Sequence, residues 1–262
     1  MPKSKIIVVK IGGSTLGQHD TTLEDLVKLQ KKRVPVVVVH GGGNAVTGWL
    51  SKLNIPTRFV QGLRVTDLDT LKVVTAVLAG LINKELVSEI NRLGGKAVGI
   101  CGVDGPIATG KNTNRELGLT AESVTIDPRP LRVLLNGGYM PVVASVCMNG
   151  APQGNEETNL LNVNGDTIAA QIAASLNARK LVFLTDVPGI YDESKQVVSE
   201  IKSGDARSMI ESGTASGGMV AKLEAGLIAS QKVQLTRIID GRVDHALLDE
   251  IDGKGKGTTI VN

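Results

Sequence analysis

Three charged side chains stand where the surrounding sequence makes charge unusual. Lys10 closes an apolar run, Ile6 to Val9, that is typical of a buried strand, and lysine is rarely buried without a partner. Lys222 lies beside, rather than opposite, the apolar stripe of a helix that opens with Gly217-Gly218, and Asp166 precedes another helical segment. We interpret Lys10 as a cation aimed at phosphate, Lys222 as a lysine that points into a cleft, and Asp166 as part of a polar site. Each also has an ordinary alternative: an edge lysine that reaches solvent, a surface lysine and a helix N-cap.

Two predicted strands end in glycines, at Lys10-Ile11-Gly12-Gly13 and at His40-Gly41-Gly42-Gly43. Glycine lets successive backbone N–H groups converge, and such a nest ahead of a helix N-terminus binds anions. In open α/β sheets, ligands bind at the carboxyl ends of strands. The chain has neither a Walker A pattern nor the dinucleotide-binding glycine pattern. The two loops therefore predict a phosphate site of another kind, with plain tight turns as the alternative.

Polar side chains also gather at predicted loop positions. Asn162, Asn164 and Asp166 alternate along a segment of small residues before a helix, Asp186 closes an apolar strand, and Arg64 follows a glycine turn. Arginine presents a planar fork that matches a carboxylate. These residues predict a polar ligand site, although an ordinary turn residue and a surface arginine are the alternatives.

Strand-like and helix-like segments alternate along the chain, which predicts βαβ units around a mainly parallel sheet. The predicted strands are Ile6–Ile11, Val34–Val39, Ala97–Cys101, Pro141–Val146, Lys180–Thr185, Thr236–Ile239 and Thr258–Val261, with a hairpin at Arg58–Val65. The predicted helices are Thr21–Lys32, Asn44–Leu53, Asp67–Arg92 with an interruption at Gly80, Thr167–Leu176 and Gly217–Ser230. The polar stretch Asp104–Pro130 is expected to form a strand-and-loop excursion rather than a separate domain.

Composition argues against several classes of protein. The net charge is only +3 and aromatic residues make up 2% of the 262 residues, whereas nucleic-acid binding favours a basic stripe or stacking aromatics. No stretch approaches the ~20 apolar residues of a membrane span, and no secretory signal is recognised. Cys101 and Cys147 lie among apolar or small residues, which predicts reduced core thiols rather than a disulfide scaffold. We therefore expect a cytoplasmic protein that binds neither nucleic acid nor membrane.

Six motifs occur in one order along nearly the whole chain: Lys10-Ile-Gly-Gly13, His40-Gly-Gly-Gly43, Gly62-Leu-Arg-Val-Thr66, Asn162-Val-Asn-Gly-Asp166, Leu184-Thr-Asp-Val-Pro-Gly189 and Gly217-Gly-Met-Val-Ala-Lys222. Through them the sequence resembles the N-acetylglutamate kinases of the amino-acid kinase family. The resemblance implies a three-layer αβα sandwich around a mainly parallel sheet, in one domain spanning 1–262. That domain would consist of an amino-acid-binding lobe, about 1–160, and an ATP-binding lobe, about 161–262.

The resemblance also implies a reaction, the transfer of a phosphoryl group from ATP with Mg²⁺ to the γ-carboxylate of N-acetyl-L-glutamate in arginine biosynthesis. Lys10 and Lys222 would stabilise charge on the transferred group, and Asp166 would hold both lysines. The phosphoryl oxygens would bind the backbone N–H groups of Gly13 and Gly42. The acetylated amino acid would contact Gly42, Gly43, Arg64, Asn162 and Asn164. The nucleotide would contact Thr185, Asp186, Val187, Gly189, Ile190, Tyr191, Thr214, Ala215 and Ser216, and would itself carry the Mg²⁺, so that no protein metal ligand is implied.

The chemistry of the residues agrees with this resemblance. Phosphoryl transfer depends on positioning and positive charge more than on covalent catalysis. A carboxylate acceptor, with a reference pKa of about 4.3 for glutamate, is ionised at neutral pH and needs no general base. The sequence has three histidines and no obvious base beside the glycine loops. A hydroxyl acceptor would need such a base to remove its proton.

Two features depart from the family pattern. Gly165 stands where this family commonly has alanine, and we expect little effect because both residues are small. Arginine-inhibited members carry an extra N-terminal helix that builds a hexamer, whereas only nine residues precede Lys10 here. The stretches Asp240–Leu248 and Gly255–Thr258 nevertheless resemble the arginine-sensitive branch. We expect a homodimer that arginine does not inhibit.

Two other functions stay open on the sequence alone. A sister kinase acting on aminoadipate or glutamate linked to a carrier protein is compatible with Gly165-Asp166, although Gly62-Leu-Arg-Val-Thr66 resembles the version that binds a free amino acid. A non-catalytic amino-acid or nucleotide sensor on the same fold would be expected to lose Lys10, Asp166 or Lys222, and all three are present.

Overall fold

The computed structural model describes residues 4–12, 21–150, 158–192, 194–215 and 217–262. Its strands are β1 (Ile7–Ile11), β2 (Val36–His40), β3 (Phe59–Val60), β4 (Leu63–Arg64), β5 (Ala97–Cys101), β6 (Ala108–Lys111), β7 (Thr120–Ala121), β8 (Ser123–Ile126), β9 (Met140–Ala144), β10 (Val146–Asn149), β11 (Leu160–Val163), β12 (Lys180–Thr185), β13 (Glu200–Lys202), β14 (Leu235–Asp240) and β15 (Thr258–Val261). Its helices are α1 (Thr22–Lys31), α2 (Gly43–Lys52), α3 (Leu68–Thr75), α4 (Asn83–Arg92), α5 (Arg129–Asn136), α6 (Gly165–Ser175), α7 (Ser203–Glu211), α8 (Gly218–Ser230) and α9 (Ala246–Ile251), with a π-helical segment, Ala76–Ile82, and a 3₁₀ turn, Arg115–Leu117.

The main sheet has eight strands in the described part of the chain, in the order β13-β15-β14-β12-β1-β2-β9-β5. Neighbouring strands pair in parallel except β14 and β15. β1 and β2 consist almost wholly of valine and isoleucine, whose branched side chains suit strands buried on both faces. β1 lies between β2 and β12, so its carboxyl end, with Lys10, is in the middle of the sheet edge where ligands bind in such folds.

Alternation along β1 assigns each side chain to one face of the sheet. Val8 packs into the core cluster that contains α6, whereas Ile7, Val9 and Ile11 pack into a second cluster with α1 and α4 on the opposite face. Lys10 shares the face of Val8 because strand side chains alternate with a period of two, so it projects toward α6. Helices cover both faces, and the predicted three-layer αβα sandwich around a mainly parallel sheet is confirmed.

A second sheet, of order β7-β11-β10-β6-β8 in the described residues, takes three of its strands from the polar stretch 104–130. The prediction of a single strand over Pro141–Val146 is wrong. β9 ends at Ala144 in the main sheet, and β10 begins at Val146 in the second sheet. A bend at Ser145 carries the chain from one sheet to the other.

The long helix predicted over Asp67–Arg92 forms, but it is not uniform. Asp67 caps α3 by accepting a hydrogen bond from the Thr70 N–H at 2.8 Å. Around Gly80 the chain winds as a π-helix, and it resumes as α4 at Asn83. The expected interruption at Gly80 is thus a widened turn, a feature that often marks functional sites.

Two expectations from composition can be compared with the fold. Cys101 and Cys147 are buried free thiols, as predicted. Burial raises the pKa of the Cys147 thiol to about 12 and also raises the pKa of Cys101. Of the helices that the structure describes, none combines the length and apolarity needed to cross a membrane.

Candidate active site

Lys10, Asp166 and Lys222 meet at the carboxyl end of β1. The Lys10 Nζ lies 2.7 Å from Asp166 Oδ1, and the Lys222 Nζ lies 3.3 Å from Asp166 Oδ2. The three side chains come from β1, the first turn of α6 and the second turn of α8. One carboxylate therefore holds two ammonium groups together, which is the arrangement expected for these residues. Their catalytic roles stay predictions.

Asp166 carries the negative charge of this group and is 4% exposed. Burial raises the pKa of its carboxyl group, but Lys10 and Lys222 outweigh burial and hold that pKa below its usual value. Asp166 is not the N-cap of α6. Asn164 is, because its Oδ1 accepts hydrogen bonds from the N–H groups of Asp166 at 2.8 Å and Thr167 at 3.3 Å. The Asp166 carboxylate is therefore available to form ion pairs with Lys10 and Lys222.

A cavity of about 200 Å³ opens beside Lys10 and Asp166. Its lining brings together all the residues predicted to bind the amino acid, which are Gly42, Gly43, Arg64, Asn162 and Asn164. The volume is below the roughly 300–1,000 Å³ of pockets for drug-sized ligands. The cavity therefore suits a small metabolite.

Arg64 places positive charge beside this cavity, although the residue is only 8% exposed. Its Nη2 donates hydrogen bonds to Gly43 O at 3.1 Å and to Thr47 Oγ1 at 2.9 Å, and its guanidinium carbon lies 4.8 Å from the centre of the Phe59 ring. Among the described residues, its Nη1 is buried without a hydrogen-bond partner. Burial also lowers the pKa of Arg64. A buried donor without an acceptor costs free energy, so an anionic ligand would stabilise this arrangement.

Two threonines that the sequence analysis did not single out fix the backbone of Arg64. Thr120 Oγ1 donates a hydrogen bond to Arg64 O at 2.6 Å. Thr66 Oγ1 lies 3.1 Å from the same oxygen and 2.7 Å from Thr120 Oγ1, to which it can donate. Asn162 Nδ2 in turn donates to Thr66 Oγ1 at 3.1 Å. Asn162 therefore supports Arg64 as well as lining the cavity. Thr66 ends a quoted motif and could have been noticed, whereas Thr120 lies in a polar stretch without a recognisable pattern.

The loop after β2 places backbone donors at the cavity. Gly42 has a φ of +156°, and a Cβ there would collide with Leu78 and Ile82 of the π-helical segment. α2 begins at Gly43, and the Gly42 N–H donates to no acceptor in the part of the chain that the structure describes. A helix N-terminus with available N–H groups attracts anions, which is compatible with the predicted role of Gly42.

His40, the last residue of β2, is fully buried behind this loop. Its Nδ1 lies 3.0 Å from Gly41 O, and its Nε2 lies 3.1 Å from Asn83 Nδ2. Burial is the main reason that its pKa is lowered to about 4, and the positive charges of Lys10 and Lys84 add to the effect. His40 is therefore neutral at physiological pH. From the sequence, His40 is noticeable only as part of a glycine motif, and no pattern marks Asn83.

The residues predicted to bind the nucleotide fall into two groups. The first forms the end of β12 and the following turn, and comprises Thr185, Asp186, Val187, Gly189, Ile190 and Tyr191; the second, Thr214 and Ala215, lies between α7 and α8. Ile190 is 1% exposed, and its N–H donates to Thr258 Oγ1 at 2.8 Å. Its side chain and N–H are thus part of the core, whereas Asp186 and Tyr191 are exposed. Gly13 and Ser216 lie outside the described residues, so their roles stay predictions.

Comparison with known proteins identifies the family of this chain. The sequence pattern of the amino acid kinase family matches residues 5–240.

The chain belongs to the amino acid kinase family.

Its curated relatives include the acetylglutamate kinases of Dehalococcoides mccartyi and Acaryochloris marina, which are each 41% identical to it. The first match covers 97% of this chain and 94% of the relative, and the second covers 98% and 91%. The crystal structure of smu.665 from Streptococcus mutans is similar with a TM-score of 0.83 at 24% identity, over 98% of each chain.

These matches confirm two predictions, the resemblance to acetylglutamate kinases and the assignment as an enzyme. This amino acid kinase is therefore a phosphotransferase. The similarity to smu.665, at its level of identity, supports the fold alone. In the described ranges of this kinase, no group of three or more His, Cys, Asp or Glu side chains is arranged to hold a metal ion.

Proposed function

We propose that this amino acid kinase transfers the γ-phosphoryl group of ATP to the γ-carboxylate of N-acetyl-L-glutamate, giving N-acetyl-L-glutamyl 5-phosphate for arginine biosynthesis. The observation that carries the proposal is the group formed by Lys10, Asp166 and Lys222 beside a small cavity that Arg64 faces. The names of relatives that match this chain almost from end to end support the choice of acceptor.

The charge at the site suits phosphoryl transfer. Two ammonium groups and one carboxylate leave a net charge of +1 beside the cavity. In the transition state, negative charge spreads over the equatorial oxygens of the transferred group, and fixed cations and backbone donors stabilise it. Lys10 and Lys222 would contact that group, and the N–H groups of Gly13 and Gly42 would bind its oxygens. Asp166 would hold both lysines in place before the substrates arrive.

The amino acid would bind in the cavity. Arg64 Nη1 lacks a partner among the described residues and would donate to the α-carboxylate. Gly43, Asn162 and Asn164 would contact the remainder of the acetylated amino acid. The γ-carboxylate would then lie near Gly42 and Lys10, where it can attack the γ-phosphorus of ATP.

No side chain at the site needs to act as a general base. The γ-carboxylate is already ionised at neutral pH. His40, which lies behind the glycine loop, has both ring nitrogens engaged and a pKa of about 4. This arrangement supports an ionised acceptor over a hydroxyl group, which would have to lose a proton.

ATP would bind at the carboxyl end of β12 and before α8, through residues 185–191 and 214–216. The chain would accordingly divide into an amino-acid-binding lobe, about 1–160, and an ATP-binding lobe, about 161–262. Asp166 is engaged by both lysines and is a poor candidate for a metal ligand. Mg²⁺ would instead be held by the phosphates of ATP and by water, which are ligands it prefers, and when bound it would neutralise phosphate charge.

We also propose that the kinase is a cytoplasmic homodimer. The homodimer is expected from the family resemblance. Its interface is not assigned to the edge strand β5, because the side chains of Asn91, Lys84 and Asp104 already bond to the backbone of Ala97, Gly99 and Cys101. Buried free thiols at Cys101 and Cys147 suit a reducing compartment. Light scattering should give the mass of a dimer, and a monomer or hexamer would contradict this part of the proposal.

An ATP-dependent assay that traps the acyl phosphate with hydroxylamine tests the function. The acceptors to compare are free N-acetylglutamate, glutamate, aspartate and aminoadipate, together with glutamate and aminoadipate linked to a carrier protein. We expect kcat/KM for N-acetylglutamate to exceed the others by at least about 10²-fold, because buried groups that bind a substrate reject analogues that leave them unpaired. A preference for a carrier-linked acceptor would favour the sister kinase. Absence of turnover with every acceptor would favour the sensor.

A further inference from the structure

His40 and Asn83 form a buried polar pair behind the glycine loop. His40 is the last residue of β2, and Asn83 is the first residue of α4, directly after the π-helical segment. Both are 0% exposed. Buried polar side chains are normally hydrogen-bonded, and the bonds of this pair determine where the proton of the imidazole lies.

The orientation of the Asn83 amide is fixed by its neighbours. Lys84 Nζ, which can only donate, lies 3.0 Å from the end of the amide that must therefore be Oδ1. The other end, Nδ2, lies 2.9 Å from Val142 O and 3.4 Å from Ile100 O, both of which can only accept. Nδ2 also lies 3.1 Å from His40 Nε2. His40 Nε2 therefore accepts a hydrogen bond and carries no proton.

The proton of the neutral imidazole consequently resides on Nδ1, which donates to Gly41 O at 3.0 Å. In a trans peptide the C=O and N–H bonds point in opposite directions, and the described residues contain no cis peptide bond. Because Gly41 O is held toward His40, the N–H of Gly42 in the same peptide unit points away from His40. Gly42 lines the cavity, so this donor is available to a ligand there.

The π-helical segment supports the loop from the same side. Leu78 and Ile82 occupy the space that a side chain on Gly42 would need. Asn83, the residue that follows Ile82, reaches His40. The π-helical segment thus contributes the apolar packing of the loop, and the residue directly after it contributes the polar anchor.

We propose that His40 and Asn83 are positioning residues that aim the Gly42 N–H at the transferred phosphoryl group. The inference rests on the proposed function, because it gives a geometric cause for one of the donors assigned there. Neither side chain would touch the substrate. Their effect would be on kcat, since an orientation error of about 1 Å in a reacting group can cost ~10²-fold in rate.

Two substitutions of His40 separate positioning from packing. In His40→Asn the amide nitrogen can take the place of Nδ1 and keep the bond to Gly41 O. In His40→Gln the amide takes the place of Nε2, keeps the contact with Asn83 and loses the bond to Gly41 O. Glutamine is closer to histidine in size, so a packing role predicts that it is the milder change. We expect the reverse order: a loss of kcat below about 5-fold for His40→Asn and of about 10–100-fold for His40→Gln, with KM for both substrates unchanged.

Equal losses in the two variants, or a smaller loss in His40→Gln, would overturn the inference. If a variant does not fold, the wild-type kinase provides a second test. Long-range proton–nitrogen NMR correlations of isotope-labelled histidine near neutral pH should show His40 as the neutral form protonated on Nδ1, and a proton on Nε2 would contradict the assignment. A wild-type kinase without acyl-phosphate activity would contradict the proposed function, whereas the NMR measurement tests the arrangement of His40 independently.

Discussion

Replacement of Lys10 by methionine removes one of the two ammonium groups at the site and keeps most of the side-chain volume. Asp166 then retains Lys222 at 3.3 Å, so the buried carboxylate keeps one cation. The fold is expected to survive for this reason. The substitution therefore tests the charge of the site more than its packing.

The expected loss of activity follows from the charge count. With Lys10 removed, the net charge of the group falls from +1 to zero, because Asp166 neutralises Lys222. Removal of one preorganised donor typically lowers kcat by about 10²–10³-fold, or raises the barrier by about 2.7–4 kcal/mol. Lys10 is 7% exposed, so water cannot easily replace the ammonium group, and we expect a loss near 10³-fold. The KM for N-acetylglutamate should change by less than about 3-fold, because its α-carboxylate would bind to Arg64.

Lys180 provides a matched control. It is also 7% exposed, and its Nζ lies 2.7 Å from Glu250 Oε1, while Arg237 pairs with the other oxygen of Glu250 at 3.0 Å. Lys180→Met thus also leaves a buried carboxylate with one cation. We expect both variants to lose a similar free energy of unfolding in urea, and only Lys10→Met to lose kcat in the hydroxamate assay. Turnover of Lys10→Met within about 10-fold of wild type, or an equal loss in Lys180→Met, would refute the reasoning.

Lys10→Met should also be more sensitive to acid. The pKa of Asp166 is lowered in the folded state, so its ionised form stabilises the protein above the usual carboxyl pKa of about 3.9, and this stability is lost as the pH falls through the lowered value. Without Lys10, the effect of burial is opposed by Lys222 alone and the pKa of Asp166 rises. Stability should then be lost at a higher pH than in wild type. Unfolding free energies measured across the acid range test this, and identical profiles would contradict it.

Three further predictions concern Arg64, the glycines near Lys10 and the two cysteines. Arg64→Ala should raise the KM for N-acetylglutamate by about 10–100-fold with little change in kcat, because it removes a contact present in both ground and transition states; steady-state kinetics with an unchanged KM would contradict this. Gly42→Ala should lower kcat by about 10²-fold, because its Cβ would collide with the π-helical segment, whereas Gly165→Ala should retain activity, because its Cβ would meet Lys10 Cε at 3.4 Å; equal effects in the same assay would be inconsistent with the loop geometry. Cys101 and Cys147 should resist iodoacetamide in the native protein and react after denaturation, because their raised pKa values keep the thiols protonated; rapid labelling of the native protein, detected by mass spectrometry, would disprove it.

The centre of the fold can be predicted from sequence for a physical reason. β1, β2 and β12 are strands of five or six residues in which all but one or two residues are apolar, and strands of this kind are buried on both faces. A lysine at the end of such a run needs an anion, and for Lys10 that anion is Asp166. Local pattern does not reveal which helix Lys222 faces, and its pairing with Asp166 was expected only through the family resemblance.

The second sheet is predicted only as a strand-and-loop excursion over Asp104–Pro130, because its local signals are weak. The helices α5, α7 and α9 are absent from the predictions, although α5 is strongly amphipathic. β7 spans two residues and β6 and β8 span four each, too few to establish a period of two. The change of sheet at Ser145 falls in a run in which every residue from Met140 to Cys147 is buried, so hydrophobicity does not mark it. The contact of His40 with Asn83 joins residues 43 positions apart, beyond the reach of any short pattern.

The central position of β1 affects how the protein is made. Lys10 leaves the ribosome long before Lys222, because the two are 212 residues apart (222 minus 10). At about 5–20 residues per second, roughly 10–40 s pass between them. Until β12 is synthesised, β1 can pair only with β2, and one of its edges is open to other nascent chains. A chain that stops before β12 would therefore be inactive and prone to aggregation. Enzymatic activity requires that translation has reached α8 and that Lys10 and Lys222, from distant parts of the chain, have come together.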